Sequence, residues 1–198
     1  MTRRPAALDP LSALIEDRSR ARGNGDPCAS SCTLATVDEA GHPQARTVVL
    51  REVEGRLAIF GNETSPKWQE LASSPSLAVV VWLPSLEVQY RLQCTTRPVA
   101  KSVVHQSWPL RPEPPKRLDW FYTRVQPQSS PIASRQALLE GLASLRLREP
   151  LVAPRTAAGI YLEPTVVERL DLRTADGVHD RRSYRRHPAG WEEVVLVP

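Results

Sequence analysis

The chain has 198 residues, of which 41% are hydrophobic and 24% charged, and this composition is that of one ordinary globular domain with its own core. The net charge of +4 is spread along the chain rather than gathered in one stripe, so we expect no general nucleic-acid binding. No apolar run reaches the roughly 20 residues of a membrane span, and no apolar segment follows the basic start as in a secretory signal. We therefore expect a cytoplasmic protein.

The first predicted element is a short amphipathic helix over residues 9–22. Leu11, Leu14 and Ile15 supply its apolar positions, and charged residues lie between them. A glycine-containing and proline-containing turn ends it. We expect an N-terminal helical segment, residues 1–27, followed by one domain over residues 28–198.

A β-hairpin follows. Residues 32–37 are rich in β-branched side chains, residues 38–43 form a turn, and residues 44–52 are the returning strand. Arg46 and Arg51 lie at the two ends of an apolar stretch in that strand. On a regular strand they point to opposite faces and stand roughly 16 Å apart, so they cannot hold one phosphate together. They indicate an extended anionic ligand, two separate ligands, or ordinary solvated or ion-paired strand ends.

The next segment predicts a strand and then a helix. Residues 56–60 form the strand, and the helix begins at Pro66, with Ser65 as its N-cap and Lys67 in its first turn. A helix N-terminus carries free N–H groups and a partial positive charge, which favour an anion. Ser65 and Lys67 therefore form a candidate phosphate site, and the alternative is an ordinary capped surface helix.

The rest of the chain predicts more strands and one leucine-rich helix over residues 134–147, while the proline-rich residues 108–115 predict an irregular loop. About eight strands in meander order with two or three helices predict a mainly β (α+β) fold, an antiparallel barrel with helices packed outside. The remaining predicted strands are 77–82, 88–96, 158–162, 166–172, 181–186 and 192–196.

Several short pieces, in the same order and with similar spacing, resemble the pyridoxamine 5'-phosphate oxidase family of FMN-binding split barrels. The resemblance runs from about Cys28 to Pro198 and implies a split β-barrel with a few peripheral helices. The pieces are Thr33 to Asp38, Arg46 to Arg51, Ser65-Pro66-Lys67, Gln89, Gln128-Ser129 and Val178 to Arg181.

The resemblance implies FMN as the cofactor. In the family, the arginine that opens an R-x-V-L-L-K strand, and the residues after it, hold the FMN phosphate and the ring edge. Arg51 stands where the family has lysine, so a planar guanidinium replaces a compact ammonium group. The implied cofactor contacts are Arg46, Thr47, Val48, Val49, Leu50, Arg51, Phe60, Gly61, Ser65, Lys67, Gln89, Gln128, Ser129 and Arg181.

The cofactor motifs are incomplete. Ser65-Pro66-Lys67 stands for the family's S-R-K motif and Phe60-Gly61 for its aromatic-threonine pair, so one arginine and one hydroxyl are missing. The family's ring-packing tryptophan falls near Asp171 or Leu172. Gln89 and Gln128-Ser129 match positions that touch FMN from across a dimer, which implies a homodimer with FMN at its interface.

The substrate motifs depart further. The family's R-L-H-D-R motif keeps His179, Asp180 and Arg181, but Gly177 stands where a substrate-contacting arginine belongs. The tyrosine, arginine and serine that hold the substrate phosphate in the family correspond to Ser107, Arg111 and Pro115, so only the arginine remains. The resemblance therefore implies Arg111 and His179 as substrate contacts.

We expect an FMN-dependent oxidoreductase that acts on a small molecule other than pyridoxamine phosphate. The candidates for catalysis are His179 and Arg51. Histidine is the side chain suited to proton transfer near neutral pH, and the alternative for His179 is a purely structural role. Arg51 could stabilise negative charge on reduced flavin. Two other functions stay open: a genuine pyridoxamine or pyridoxine 5'-phosphate oxidase, and a non-catalytic protein that binds flavin or haem. The three cysteines lack metal-site spacing and are expected to be free thiols, and no metal is expected.

Overall fold

The computed structural model describes residues 9–198, so the first eight residues of the predicted N-terminal segment lie outside it. Nine strands form one curled, antiparallel sheet with helices at its periphery, which confirms the predicted fold class. The strands are β1 Ser31–Val37, β2 Pro43–Val49, β3 Arg51–Val53, β4 Arg56–Asn62, β5 Leu77–Leu83, β6 Val88–Pro98, β7 Ala157–Asp171, β8 Asp180–His187 and β9 Gly190–Leu196. The α-helices are α1 Pro10–Gly23, α2 Pro66–Ser73, α3 Lys101–Ser107, α4 Glu113–Arg124 and α5 Arg135–Ser144.

The strand order is β2-β1-β5-β6-β7-β4-β3, and β8 and β9 extend the sheet from β7. The predicted meander order was therefore wrong, because β1 pairs with β5 and β4 pairs with β7. The two strands predicted over 158–172 are one strand, β7. Pro164 lies within it, opposite a register shift at Gln93 and Cys94 of β6, where a bulge tolerates a residue without an N–H.

The returning strand of the first hairpin is not regular. It breaks at Leu50 into β2 and β3, so the single strand predicted over 44–52 was wrong. Leu50 is 2% exposed, and its carbonyl accepts a hydrogen bond of 2.7 Å from Arg18 of α1. Arg18 is itself buried, also donates to the Ala29 carbonyl, and pairs with Glu52. Helix α1 thereby fixes the corner of the chain that precedes Arg51.

The proline-rich segment is largely helical. A short 3-10 helix at Trp108–Leu110 and helix α4 replace most of the irregular loop predicted over 108–115, and α3 was also not predicted. Pro114 and Pro115 fall in the first turn of α4, where a missing N–H costs nothing because those donors have no intrahelical acceptor. The five α-helices of residues 9–198 thus exceed the two or three that we expected.

The main core lies inside the curl of the sheet, between β1, β5, β6 and β7, with α1 packed against it. Leu14 of α1 and Leu34, Val79 and Val81 of the sheet are fully buried. Cys28, Cys32 and Cys94 are free thiols, as predicted. None of the helices that the structure describes has both the length and the apolar character needed to cross a membrane.

Candidate active site

A cleft of about 200 Å³ opens between β2, β4, α2 and α4. Several residues predicted from separate parts of the sequence meet there: Val48 and Val49 from β2, and Phe60, Gly61 and Lys67 from the segment that leads into α2. The fold therefore brings the hairpin and the candidate phosphate site together. The other lining residues are Asn62, Arg111, Pro115, Leu118, Asp119, Tyr122 and Gln128.

Lys67 is the cation best placed to receive an anion in this cleft. Ser65 is the N-cap of α2, but its hydroxyl makes no bond to the helix; instead Lys67 Nζ donates to it at 2.8 Å. No carboxylate of the described residues pairs with Lys67. Burial, and next the nearby Arg46 guanidinium, lower the pKa of Lys67 to about 8. A partly desolvated ammonium at a helix N-terminus gains the most from an anionic ligand.

The wall beside Lys67 is shaped by a glycine. A Cβ on Gly61 would lie 3.1 Å from the Trp68 ring and 3.4 Å from Lys67 Cε, so a larger residue would press on the lysine. Phe60 lies next to it, and the Arg51 guanidinium is 5.8 Å from the centre of its ring. Arg51 pairs with no carboxylate of the described residues, and burial followed by the nearby Arg111 lowers its pKa. Lys67 in the cleft and Arg51 in a narrower pocket next to it are thus two cations with no carboxylate partner among the described residues.

Arg46 is held by the protein itself. Its guanidinium pairs with the buried Glu70 carboxylate of α2 at 2.7 Å and also donates to the Thr36 hydroxyl, which in turn donates to Glu70. Arg46 still lies close enough to Lys67 to lower its pKa. The arginine therefore adds positive potential near Lys67, while Glu70 fixes its position.

Arg111 and Asp119 form a pair at the other end of the cleft. Arg111 Nε lies 2.8 Å from Asp119 Oδ2, although the angle is poor for a hydrogen bond. Asp119 is 1% exposed, and its Oδ1 has no hydrogen-bond partner among residues 9–198. Burial raises the pKa of Asp119, and Arg111 opposes that rise. The charge of Arg111 is thus largely compensated before any ligand arrives.

A second group of predicted contacts lies elsewhere in the chain. Gln89 of β6 faces Leu170 of β7, which in turn faces Arg181 of β8. Phe60 faces Gly159, near the start of β7, and the distance along the strand from there to Leu170 is roughly 35 Å at about 3.3 Å per residue. Gln89 and Arg181 therefore lie far along β7 from the cleft of the same chain.

Arg181 and His179 differ in their surroundings. Arg181 pairs with Glu168 through two nitrogens, at 2.9 and 3.0 Å. His179 is exposed in the segment just before β8. Within the described chain, neither residue lines the cleft that contains Lys67.

The other predicted contacts have mixed positions. Thr47 is exposed on β2, which is an edge strand of the sheet, whereas Leu50 is buried in the core. Gln128 lines the cleft of its own chain, and its N–H donates to the Thr64 hydroxyl at 3.2 Å; we had expected this residue to reach FMN from a second protomer. Ser129 follows it with a φ of 70°, a strained value for a residue other than glycine.

Sequence reasoning missed Asp119, Tyr122 and Glu70. The first two were missed because residues 108–115 were assigned to a loop and α4 was not recognised. A proline pair in a first helical turn, followed by Leu118, Phe121 and Tyr122 at helical spacing, was the available signal. Glu70 carries no local signal of its own, because its partner Arg46 lies on a different element.

Comparison with known proteins identifies the family. Residues 10–100 match the model described as pyridoxamine 5'-phosphate oxidase, FMN-binding domain. The pyridoxine/pyridoxamine 5'-phosphate oxidase of Thermosynechococcus vestitus is 33% identical over 87% of this chain and 81% of its own length. The chain belongs to the pyridoxine/pyridoxamine 5'-phosphate oxidase family. The enzyme of the same name from Granulibacter bethesdensis is 29% identical over 96% of this chain and 91% of its own length.

Two solved structures share the fold of this family member. PhzG from Burkholderia lata, in complex with tetrahydrophenazine-1-carboxylic acid, superposes with a TM-score of 0.82 at 21% identity and covers 98% of this chain and 94% of its own. A pyridoxamine 5'-phosphate oxidase-related, FMN-binding protein from Nostoc punctiforme gives 0.77 at 19% identity, with full coverage of both chains. These matches confirm the split-barrel fold.

FMN is the cofactor of this family member, as predicted, and the cleft fits its phosphate. Lys67 is a partly buried cation with no carboxylate partner among the described residues, and it stands at the N-terminus of α2 beside Gly61. Arg46 adds positive charge behind it. An anion at this point would offset the desolvation of the ammonium.

Proposed function

We propose that this protein is an FMN-dependent oxidase of a small molecule other than pyridoxamine or pyridoxine 5'-phosphate. Bound FMN supplies the redox chemistry by accepting a hydride. The chain's own residues position the reactants: Lys67 and Ser65 hold the FMN phosphate, and Arg51 lies over Phe60 in the narrower pocket beside the cleft. The cationic Arg51 stabilises negative charge that develops beside it during reduction.

One observation supports the proposal that the substrate is not a pyridoxine or pyridoxamine phosphate. Arg111 is the only cation left at the three positions that the resemblance assigns to the substrate phosphate, and it is paired with the buried Asp119 at 2.8 Å. Ser107 and Pro115 occupy the other two positions and supply no charge. Each charge-assisted hydrogen bond to a phosphate contributes about 1.5 to 3 kcal/mol, so two missing bonds weaken phosphate binding at least about 100-fold.

The test compares two family members directly. FMN-loaded protein is mixed anaerobically with pyridoxamine or pyridoxine 5'-phosphate, and bleaching of the flavin absorbance reports reduction without depending on the electron acceptor. The Thermosynechococcus vestitus relative serves as the control. We expect bleaching at least about 100-fold slower at equal substrate concentration than in the control. Equal rates would refute the change of substrate.

Genuine pyridoxine or pyridoxamine 5'-phosphate oxidation is the second candidate. The names of the relatives and their match over nearly the whole chain favour it. In that case Arg111 must leave Asp119 to meet the substrate phosphate, and fast bleaching in the same experiment is the expected result.

The PhzG complex supports the first candidate instead. It holds tetrahydrophenazine-1-carboxylic acid, a ligand without a phosphate, in a protein of the same fold.

The proposal includes a homodimer with FMN between the protomers. Gln89 and Arg181 lie far along β7 from the cleft of their own chain, so they can contribute to a site of this kind only from a second protomer. Mixed dimers test this arrangement: Lys67→Gln and Arg181→Ala protomers each damage FMN binding alone, and refolding them together restores one intact site per mixed dimer. A monomer in light scattering, or no recovery of FMN binding on mixing, argues against the shared site.

A further inference from the structure

Asp119 is the buried charge that the proposed chemistry leaves unused. Its Oδ1 is shielded from solvent and accepts no hydrogen bond within residues 9–198. Asn62, the neutral donor beside it, bonds instead to the backbone carbonyl of Asp119 at 3.2 Å. The carboxylate lines both the cleft and a narrower pocket next to it, of about 20 Å³. A space of that size admits one small group such as a hydroxyl.

The narrow pocket is mostly apolar. Val104, Trp108 and Ala158 form its walls, and its lining also includes the cations Arg51 and Arg111. Burial of a carboxylate oxygen without a hydrogen-bond donor is unfavourable, because the oxygen loses its bonds to water and gains none from the protein. A ligand that brings an O–H or N–H group to Oδ1 removes this cost.

A phosphate is disfavoured at the same place. A phosphate dianion carries only acceptor oxygens, so it cannot bond to Oδ1, and its charge opposes that of Asp119 in a water-poor pocket. Arg111 would attract it, but that guanidinium is already paired with Asp119. Of the cations that the structure describes in the lining of this pocket, Arg51 is the one left to compensate two negative charges from the ligand.

We propose that Asp119 makes this pocket a subsite for an uncharged hydroxyl or N–H group of the substrate and bars a phosphate from it. The assignment rests on the proposed function, because it narrows the unknown substrate to an unphosphorylated molecule with a hydrogen-bond donor. Asp119 acts here as a specificity-determining residue: its role is to bind and reject ligands, with no part in the redox step.

Pyridoxine and pyridoxine 5'-phosphate are the matched probes, because they differ only in a hydroxyl against a phosphate. Anaerobic isothermal titration of protein whose bound FMN has been reduced beforehand measures the Kd of each probe without turnover. We expect the wild type to bind pyridoxine about tenfold or more tightly than its phosphate. Asp119→Asn frees Arg111 and should tighten binding of the phosphate about tenfold, while Glu113→Gln, the same charge change at an exposed position of α4, should leave both values unchanged.

A double variant tests whether the tighter phosphate binding of Asp119→Asn comes from Arg111. Asp119→Asn with Arg111→Gln should lose the gain for the phosphate, because the freed guanidinium is its source. Arg111→Gln alone should not weaken phosphate binding in the wild-type background. FMN content and Tm are recorded for every variant, so that only folded, loaded protein is compared.

The outcomes separate the two proposals. Wild-type protein that prefers the phosphate, or Asp119→Asn protein that gains less than about threefold or binds neither probe, overturns the subsite. Fast anaerobic bleaching by pyridoxine 5'-phosphate overturns the proposed change of substrate. If pyridoxine 5'-phosphate bleaches the flavin slowly but its Kd is the same in Asp119→Asn and the wild type, the subsite is overturned and the proposed change of substrate stands.

Discussion

Lys67 offers the sharpest perturbation of cofactor binding. Its ammonium donates to Ser65 at 2.8 Å, has no carboxylate partner among the described residues, and has a pKa lowered to about 8. Lys67→Gln keeps a polar side chain of similar reach but removes the charge. A charge-assisted hydrogen bond to phosphate contributes about 1.5 to 3 kcal/mol, so the Kd of FMN should rise about 10- to 150-fold at pH 7.

The pH dependence of FMN binding is a second test of the role of Lys67. The phosphate binds best to protonated Lys67, and in free protein the proton is lost above a pKa of about 8. The Kd of wild-type protein should therefore be nearly flat around pH 7 and rise by up to about tenfold per pH unit above about 8. In Lys67→Gln this rise should disappear.

Quenching of FMN fluorescence on titration with apoprotein measures both effects. Lys101→Gln is the matched control, since Lys101 pairs with the exposed Glu63 and is not among the residues lining the cleft. An unchanged Kd in Lys67→Gln, or an equal rise above about pH 8 in that variant and the wild type, would refute the assignment of Lys67 to the phosphate.

Three further changes test the surroundings of the site. Glu70→Gln removes a carboxylate that raises the pKa of Lys67, so the pH at which FMN affinity falls should be lower than in the wild type. A higher pH would show that Glu70 does not raise the pKa of Lys67. Arg18→Met removes a buried charge that holds the Leu50 carbonyl and should lower the free energy of unfolding in urea by about 3 to 5 kcal/mol, whereas a loss under about 1 kcal/mol would show that α1 does not fix this corner. Gly159→Ala places a Cβ 2.8 Å from the Phe60 ring and should cost about 1 to 3 kcal/mol and weaken FMN binding; a fully wild-type Tm contradicts this.

The sequence predicts the parts of the site that depend on local patterns. Alternation of side chains located the strands, and a serine followed by proline located the start of α2, where the structure indeed places Ser65 as the N-cap. Pairings that depend on tertiary contacts were out of reach. Glu70 meets Arg46 only because α2 packs on β1, the neighbour of β2, and no spacing in the sequence encodes that contact.

The errors have two physical origins, one local and one tertiary. Pro112, Pro114 and Pro115 were taken as helix breakers, but in the first turn of a helix a proline loses no hydrogen bond. That error removed α4 from the predicted fold and Asp119 from the predicted site. The break at Leu50 depends on the buried Arg18 guanidinium, which comes from a helix outside the hairpin.

The central claim is that the phosphate of FMN lies between Lys67 and the N-terminus of α2. A crystal structure of FMN-loaded protein tests it most directly. We expect a phosphate oxygen within about 3 Å of Lys67 Nζ, with the flavin ring directed towards Phe60 and Arg51. A phosphate bound elsewhere, with Lys67 still donating only to Ser65, would contradict the account.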